Sequence, residues 1–174
     1  MQYVVCVPVS LCPQAGSRKW MRITRKGVSD MAEHFVDPTL IGNERIEEAI
    51  HLFYQEQTEH RFMGVCMAVR ERISQDGHLL FPVEMGQDEE GCQTYQFKTL
   101  ELDGQHVLVA FTSVAEKEKG PEVGGLSTFA DSVLETLLQM ESIAGLLINP
   151  WGESICLGKE DVALILNPGS ERFV

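Results

Sequence analysis

Residues 93–112 decide the fold of this chain, and they read QTYQFKTLELDGQHVLVAFT. The dipeptide Asp103-Gly104 divides them into two runs, residues 93–102 and 105–112. An Asp-Gly pair between two strand-like runs is a strong signal for a β-hairpin with a two-residue turn. The second run is apolar at successive positions from Val107 to Phe111, which is typical of a strand buried on both faces. We therefore predict a hairpin whose second strand lies inside a sheet.

The first strand of this hairpin has an irregular pattern. Tyr95 and Phe97 occupy odd positions, whereas Leu100 and Leu102 occupy even ones. Because side chains alternate between the two faces of a strand, a regular strand cannot bury both pairs on one face. We therefore predict a β-bulge near Lys98-Thr99.

The residues after the hairpin indicate a parallel crossover. Apolar residues recur at helical spacing along residues 129–140, which predicts a helix capped by Ser127 or Thr128. An apolar strand follows at residues 143–148 and ends at Asn149-Pro150. If this strand joins the hairpin's sheet, the helix makes a right-handed βαβ crossover and the two strands are parallel. We also predict a loop at residues 114–127, a strand pairing back at 154–157 and a short helix at 160–166.

Two helices are predicted ahead of the strands. Asn43 is a good N-cap for the first, and apolar residues recur on one face from Ile46 to Phe53. Thr58 is the predicted cap of the second, which ends near Arg72. The pattern favours a helical hairpin, with a single bent helix as the alternative.

A short strand at residues 79–83 follows the helices, and Pro82 predicts that it lies at a sheet edge. The acidic, glycine-punctuated residues 85–92 are predicted to be a loop. The resulting fold class is α+β, or mixed α/β. It consists of an N-terminal helical pair packed on a small mixed sheet with a β-hairpin and one βαβ crossover.

Composition limits the classes of function. The chain has 174 residues and a net charge of −12, which argues against nucleic acid as the main partner. Residues 1–30 carry +4 and the remainder −16. We expect residues 1–40 to be a tail, which is either disordered or lies ahead of the true translation start. Residues 41–174 are expected to be one domain. A basic arm for nucleic acid or a membrane is the alternative.

The cysteine and histidine patterns bear on location and metals. Five cysteines occur with no C-x-x-C spacing, which indicates free thiols in a reducing cytoplasm. The five histidines are scattered, without a zinc-ligand spacing. No stretch of about 18 apolar residues occurs. We therefore expect a cytoplasmic protein with no metal, no cofactor and no membrane span.

Three short motifs carry a resemblance to a known family. Ala110-Phe111-Thr112-Ser113 is followed by Leu147-Ile148-Asn149-Pro150-Trp151-Gly152 and then by Leu157-x-Lys159-Glu160. This order resembles the N-terminal domain of the SseB (enhanced serine sensitivity) family over roughly residues 43–168. The upstream match consists of paired helices and then Phe81-Pro82. The family has no agreed biochemical activity, so the resemblance implies a fold more than a function.

The predicted crossover also suggests a binding site. The carboxyl ends of parallel strands are where open α/β sheets bind ligands. Two short segments would meet there, with an indole for stacking and polar groups for hydrogen bonds. The candidate binding residues are Phe111, Thr112, Ser113, Asn149, Pro150 and Trp151. The competing interpretation is that they are strand-end and turn residues, with Trp151 covering the edge of the core.

A hydrolase or acyl-transfer enzyme is the rival function. Ser113, Cys66 and Cys156 are possible nucleophiles, and His106 with Glu101 would be cross-strand neighbours. Around them the sequence has no G-x-S-x-G elbow and no glycine-rich phosphate loop. We therefore favour an interaction or regulatory module with a protein partner, and a homo-oligomer stays open. The acidic residues 87–90 and the overall charge are compatible with a basic partner.

The charge division leads to a first prediction. A chain that begins at Met31 should fold and keep the melting temperature of the full chain, because residues 1–30 are expected to add no packing. Thermal unfolding of both chains checks this. A loss of several degrees would show that the arm packs on the domain, since each kcal/mol moves the melting temperature of a small domain by a few degrees.

Overall fold

The computed structural model describes residues 5–6, 37–87 and 93–167. Within these residues the chain forms five α-helices and two four-stranded sheets, which is the α+β class predicted from the sequence. None of the helices described is both long and apolar enough to cross a bilayer.

The N-terminal helical pair consists of α1 (Glu44–Gln55) and α2 (Glu59–Ser74). The two helices are separate, so the hairpin prediction is confirmed and the bent-helix alternative is wrong. Thr58 caps α2 as predicted, its hydroxyl accepting a hydrogen bond from the Arg61 amide (3.3 Å). The N-cap of α1 is Asn43, but its side chain makes no capping bond. That amide is used for tertiary contacts instead.

The first sheet is antiparallel and contains β1 (Val5–Cys6), β2 (His78–Gln87), β3 (Gln93–Phe97) and β6 (Gly124–Phe129). Its strand order is β1-β3-β2-β6. Strand β2 is therefore paired on both sides, and the prediction of an edge strand is wrong. The predicted loop 85–92 is also wrong for residues 85–87, which belong to β2; residues 88–92 lie outside the described part.

Pro82 fits inside this sheet because of where β3 ends. The carbonyl of Pro82 accepts a hydrogen bond from the Lys98 amide (2.9 Å), on the side of β3. A residue in an antiparallel strand directs its N–H and its C=O to the same side. The N–H that proline lacks would therefore point to the Lys98 carbonyl, one residue beyond the end of β3 at Phe97. Only this one reciprocal bond, at the end of the β2–β3 ladder, is lost.

The second sheet contains β4 (Thr99–Leu102), β5 (Gln105–Ala110), β7 (Ile143–Ile148) and β8 (Ile155–Gly158), in the order β4-β5-β7-β8. Strands β4 and β5 form the predicted hairpin. Asp103 and Gly104 have φ angles of 50° and 77°, as a type I′ turn requires. Strand β5 is interior and runs parallel to β7, while β8 pairs back on β7, as predicted.

The irregularity predicted at Lys98-Thr99 lies at the predicted place but has a different cause. Phe97 pairs with Val83 in the first sheet, and Thr99 pairs with Leu108 in the second. The chain therefore passes from one sheet to the other at Lys98, instead of inserting an extra residue into one ladder. Because the residues before and after Lys98 belong to different sheets, Tyr95 and Phe97 do not have to share a strand face with Leu100 and Leu102.

The crossover between β5 and β7 is more complex than the predicted helix. The chain passes through α3 (Val114–Glu118), then β6 in the other sheet, then α4 (Ala130–Gln139). The prediction of a loop at 114–127 is therefore wrong. Helix α4 begins after Phe129, which has no capping side chain, so the predicted caps Ser127 and Thr128 are also wrong. The last helix, α5 (Lys159–Leu166), matches its prediction.

The two sheets are joined by a backbone bridge and by packing. Leu80 of β2 and Phe111 exchange two backbone hydrogen bonds (3.0 and 2.7 Å). Leu40, at the end of a short 3₁₀ turn (Pro38–Leu40), is buried in one cluster with both residues. The packed domain thus extends upstream of the predicted boundary at residue 41. Within the predicted tail, Val5–Cys6 pairs with β3, which runs counter to the expectation that residues 1–30 add no packing. The other residues up to 36 lie outside the described part.

Candidate functional site

The carboxyl ends of β5 and β7 meet, as the predicted crossover required. The Asn149 side chain accepts a hydrogen bond from the Thr112 amide (3.0 Å). In the opposite direction, Asn149 Nδ2 donates to Thr112 Oγ1 (2.9 Å). These bonds connect the residues that follow the two parallel strands.

Helix α1 covers this meeting point. Thr112 Oγ1 donates to Glu47 Oε1 (2.6 Å), and Asn43 Nδ2 donates to the carbonyls of Thr112 (2.8 Å) and His78 (3.0 Å). As a result Thr112 is 0 % exposed and Asn149 is 2 % exposed. Their polar groups are satisfied inside the protein, so they support the site and do not face a ligand.

The network continues outward through α2. Arg72 Nε donates to Asn43 Oδ1 (2.8 Å), and a second guanidinium nitrogen donates to the Thr39 carbonyl (2.8 Å). One arginine therefore joins the start of α1 to the segment ahead of it. We call the side chains of Asn43, Glu47, Arg72, Thr112 and Asn149 the buried polar network.

The C-terminal half of α1 is hydrogen-bonded to the turn at residues 149–154. His51 Nδ1 lies 3.0 Å from a carboxylate oxygen of Glu153. The Tyr54 hydroxyl donates to the Ser154 carbonyl (3.1 Å) and accepts from the Ser154 amide (2.9 Å). These contacts tie the turn to the helix at two further points.

Sequence reasoning missed this polar stripe. Asn43, Glu47, His51 and Tyr54 follow one another at intervals of four, four and three residues, which places them on one side of α1. The apolar spacing of Ile46 and Ile50 indicates only the core-facing side of the same helix. The spacing of the polar residues was a signal that could have found the contact surface.

Trp151 is held at the surface by its surroundings. Asn149, with a φ of 54°, turns the chain after β7, and Gly152 N donates to its carbonyl (3.1 Å). The indole lies against Gly120, where an added Cβ would come within 2.2 Å of the ring. The side chain is 40 % exposed. One part of the ring is therefore packed, and another part is open to solvent.

The other predicted site residues have local roles. Phe111 is buried in the core. Ser113 caps α3 through a hydrogen bond from the Glu116 amide to its hydroxyl (3.3 Å). Pro150 is half-buried in the turn. Of the six predicted residues, the structure therefore exposes Trp151, with Ser113 and Pro150 partly accessible.

The described thiols are free and have raised pKa values. Burial raises the pKa of Cys66 to about 11, and the nearby Asp161 carboxylate adds to the effect. Burial and the same carboxylate also raise the pKa of Cys156, on β8. Both side chains therefore stay protonated at neutral pH, and a protonated thiol is a poor nucleophile.

The rival catalytic residues are not brought together. His106 faces Glu101 across the hairpin, as predicted, but it lies at the start of β5. Ser113 lies seven residues further on, which corresponds to roughly 23 Å along an extended chain. Cys156 pairs with Leu147 two strands away, level with Val109. His106 is therefore separated along the sheet from both Ser113 and Cys156.

Within the described residues, no group of three or more histidine, cysteine, aspartate or glutamate side chains is arranged to hold a metal ion. Comparison with protein-family models, curated proteins and solved structures finds no match to this chain.

The buried polar network gives a second prediction. Asn149→Ala should lower the free energy of unfolding by about 3 kcal/mol or more, because it leaves the buried Thr112 amide without its partner, at about 1–3 kcal/mol, and removes the donor to Thr112 Oγ1. It also places alanine at a positive φ, which asparagine tolerates better. Urea unfolding measures the change.

Asp103→Ala is the matched control for this prediction. Asp103 has a similar φ of 50° but is exposed in the hairpin turn. The control should lose only about 1 kcal/mol, from the backbone conformation. Equal losses in both variants would show that the buried polar network contributes nothing beyond the turn geometry.

Proposed function

We propose that this chain is a non-enzymatic interaction module of the SseB-like type, which binds a protein partner through the surface around Trp151. The observation that supports this most is the exposed indole of Trp151, part of which is packed against Gly120. We call this area the Trp151 surface, formed by Lys119, Gly120, Trp151 and Gly152.

The Trp151 surface has the properties of a binding anchor. Tryptophan is among the residues that contribute most to protein–protein binding when truncation to alanine is measured. Packing against Gly120 limits the rotamers of the ring before any partner arrives. A side chain that is already ordered loses less conformational entropy on binding. The exposed part of the ring then provides apolar area to a partner.

The elements on both sides of the Trp151 ring are held by side-chain contacts. Beside Gly152, Lys119 and Glu116 form an ion pair at the end of α3. On the far side of the turn, Glu153 and Ser154 are bonded to α1. Phe111, Thr112 and Asn149 thus act in this proposal as the support of the surface, and Trp151 as its contact residue.

The chemistry of the candidate nucleophiles favours binding over catalysis. The raised pKa values of Cys66 and Cys156 oppose thiolate formation. The Ser113 hydroxyl accepts a capping hydrogen bond at α3, and His106 lies at the opposite end of β5. An enzyme built on these residues would need a rearrangement of the sheet.

The thiols and the net charge are compatible with a cytoplasmic protein that binds another protein. Free thiols at Cys66 and Cys156 are typical of a reducing compartment, so we place the protein in the cytoplasm. A net charge of −12 disfavours binding to nucleic acid and is compatible with a basic protein surface.

The third prediction tests the anchor. Trp151→Ala should weaken binding to the partner by about 2 kcal/mol or more, as truncation of a central aromatic anchor does. Its free energy of unfolding should fall by less than the about 3–5 kcal/mol of a fully buried aromatic. The partner is found by capture on the immobilised full chain from a lysate of the source cells. Affinity is then measured with the purified partner by calorimetry.

Phe129→Ala is the matched control for Trp151→Ala. Phe129 is another exposed aromatic residue, 48 % accessible, at the end of β6. The control should bind the partner as the wild-type chain does. The proposal is overturned if Trp151→Ala binds normally, or if it loses binding only because the domain unfolds.

The fourth prediction concerns catalysis. Ser113→Ala and Cys156→Ala should be folded and should retain the cellular function of the gene, because neither side chain contributes chemistry. Complementation of a deletion strain measures function, and circular dichroism confirms folding. Loss of function in a folded Ser113→Ala or Cys156→Ala protein would contradict the binding-module proposal.

A further inference from the structure

An open groove of about 800 Å³ runs between the outer sides of α1 and α2. Its lining includes small and apolar residues, among them Ala49, Leu52, Gly64 and Ala68. Met67 lies on this face and is 67 % exposed. At Gly64 an added Cβ would meet no atom within 4 Å, so the helix surface is accessible there. The groove can therefore admit a side chain or a helix from another molecule.

The charges around the groove are balanced in sign. Two arginines and two glutamates line it, so it is locally neutral in a chain of net charge −12. Arg45 and Glu71 pair with each other across the two helices. Glu48 on α1 and Arg70 on α2 are exposed and have no ion-pair partner within the described residues. The groove thus presents an acid from α1 and a base from α2 that form an ion pair with no other residue in the described part of the chain.

We propose that this groove binds a second copy of the same chain. A two-fold interface brings the same surface of both copies together, so that residue i contacts residue j and j contacts i. In this dimer Glu48 faces the partner's Arg70, and Arg70 faces the partner's Glu48. The arrangement pairs both free charges with no other protein present.

The apolar residues explain why a copy of this surface fits. Each Met67 side chain is flexible and apolar, and it can enter the space above Gly64 in the partner copy. Small residues at helix contacts let two helices approach closely. The chain as a whole carries a net charge of −12, so two copies repel each other, and a locally neutral surface is where they can meet. The groove is independent of Trp151.

The test is the mass of the full chain in solution. Sedimentation equilibrium over a range of concentrations should show a reversible monomer–dimer equilibrium for the wild-type chain. Met67→Glu should shift it to monomer, with at least a ten-fold weaker association. Met85→Glu is the matched control, because Met85 is 68 % exposed on β2, outside the groove. That variant should associate as the wild type does.

A charge exchange identifies the interface itself. Glu48→Arg and Arg70→Glu should each weaken self-association, because each places like charges opposite one another. The double variant Glu48→Arg/Arg70→Glu should restore it. An equimolar mixture of the two single variants should also dimerise, since both contacts of that mixed dimer then join an arginine and a glutamate.

Three results would overturn the proposal: a wild-type chain that is monomeric at every concentration, a dimer that Met67→Glu leaves intact, or single charge variants that fail to complement each other. If the groove binds a different protein instead, the purified wild-type chain should be monomeric at every concentration, which is the first of these results. Urea unfolding of each variant shows whether a lost dimer comes from the surface change or from a damaged fold. Trp151→Ala should leave the dimer unchanged, so this test and that of the Trp151 surface can fail separately.

Discussion

Thr112 and Asn149 carry polar side chains into a buried position at the ends of β5 and β7, and every polar group there must find a partner inside the protein. A buried donor or acceptor left without one costs about 1–3 kcal/mol. Each side chain satisfies the other, and Glu47 and Asn43 supply the remaining bonds from α1. Because these bonds are directional, the network holds the start of α1 over the ends of β5 and β7.

Because their polar groups are bonded inside the protein, Thr112 and Asn149 support the candidate site, whereas the exposed Trp151 is the residue that can contact a partner. Asn149 can begin a tight turn because its own side chain is bonded to Thr112. Further along that turn, α1 holds Glu153 and Ser154. Trp151 lies between these two attachments, with Gly120 under the ring. The buried hydrogen bonds thus position an aromatic side chain that faces solvent, while the outer side of the helical pair keeps its own groove.

The fold was predictable from sequence wherever local signals were strong and agreed with tertiary packing. The Asp103-Gly104 turn specifies its hairpin through the positive φ of both residues, and Thr58 caps α2 through its own hydroxyl. The predictions that were wrong depended on neighbours. Pro82 indicated an edge strand, yet the bond that it cannot donate lies at the end of the β2–β3 ladder, where only one hydrogen bond is lost. Residues 124–127 read as a glycine-rich loop, yet β2 supplies a partner strand for them.

The sequence by itself determined the periodic elements, the parallel pairing of β5 and β7, and therefore the meeting of Thr112 with Asn149. These follow from side-chain alternation, helical spacing and turn chemistry, which act over a few residues. Only the tertiary structure decided that Asn43 and Glu47 turn inward over the strand ends, so that Thr112 and Asn149 are buried and Trp151 stays exposed. That outcome depends on which side chains meet across 65 and 69 positions of sequence separation. The spacing along α1 can place Asn43 and Glu47 on one side of the helix, but it does not specify which strand ends they contact.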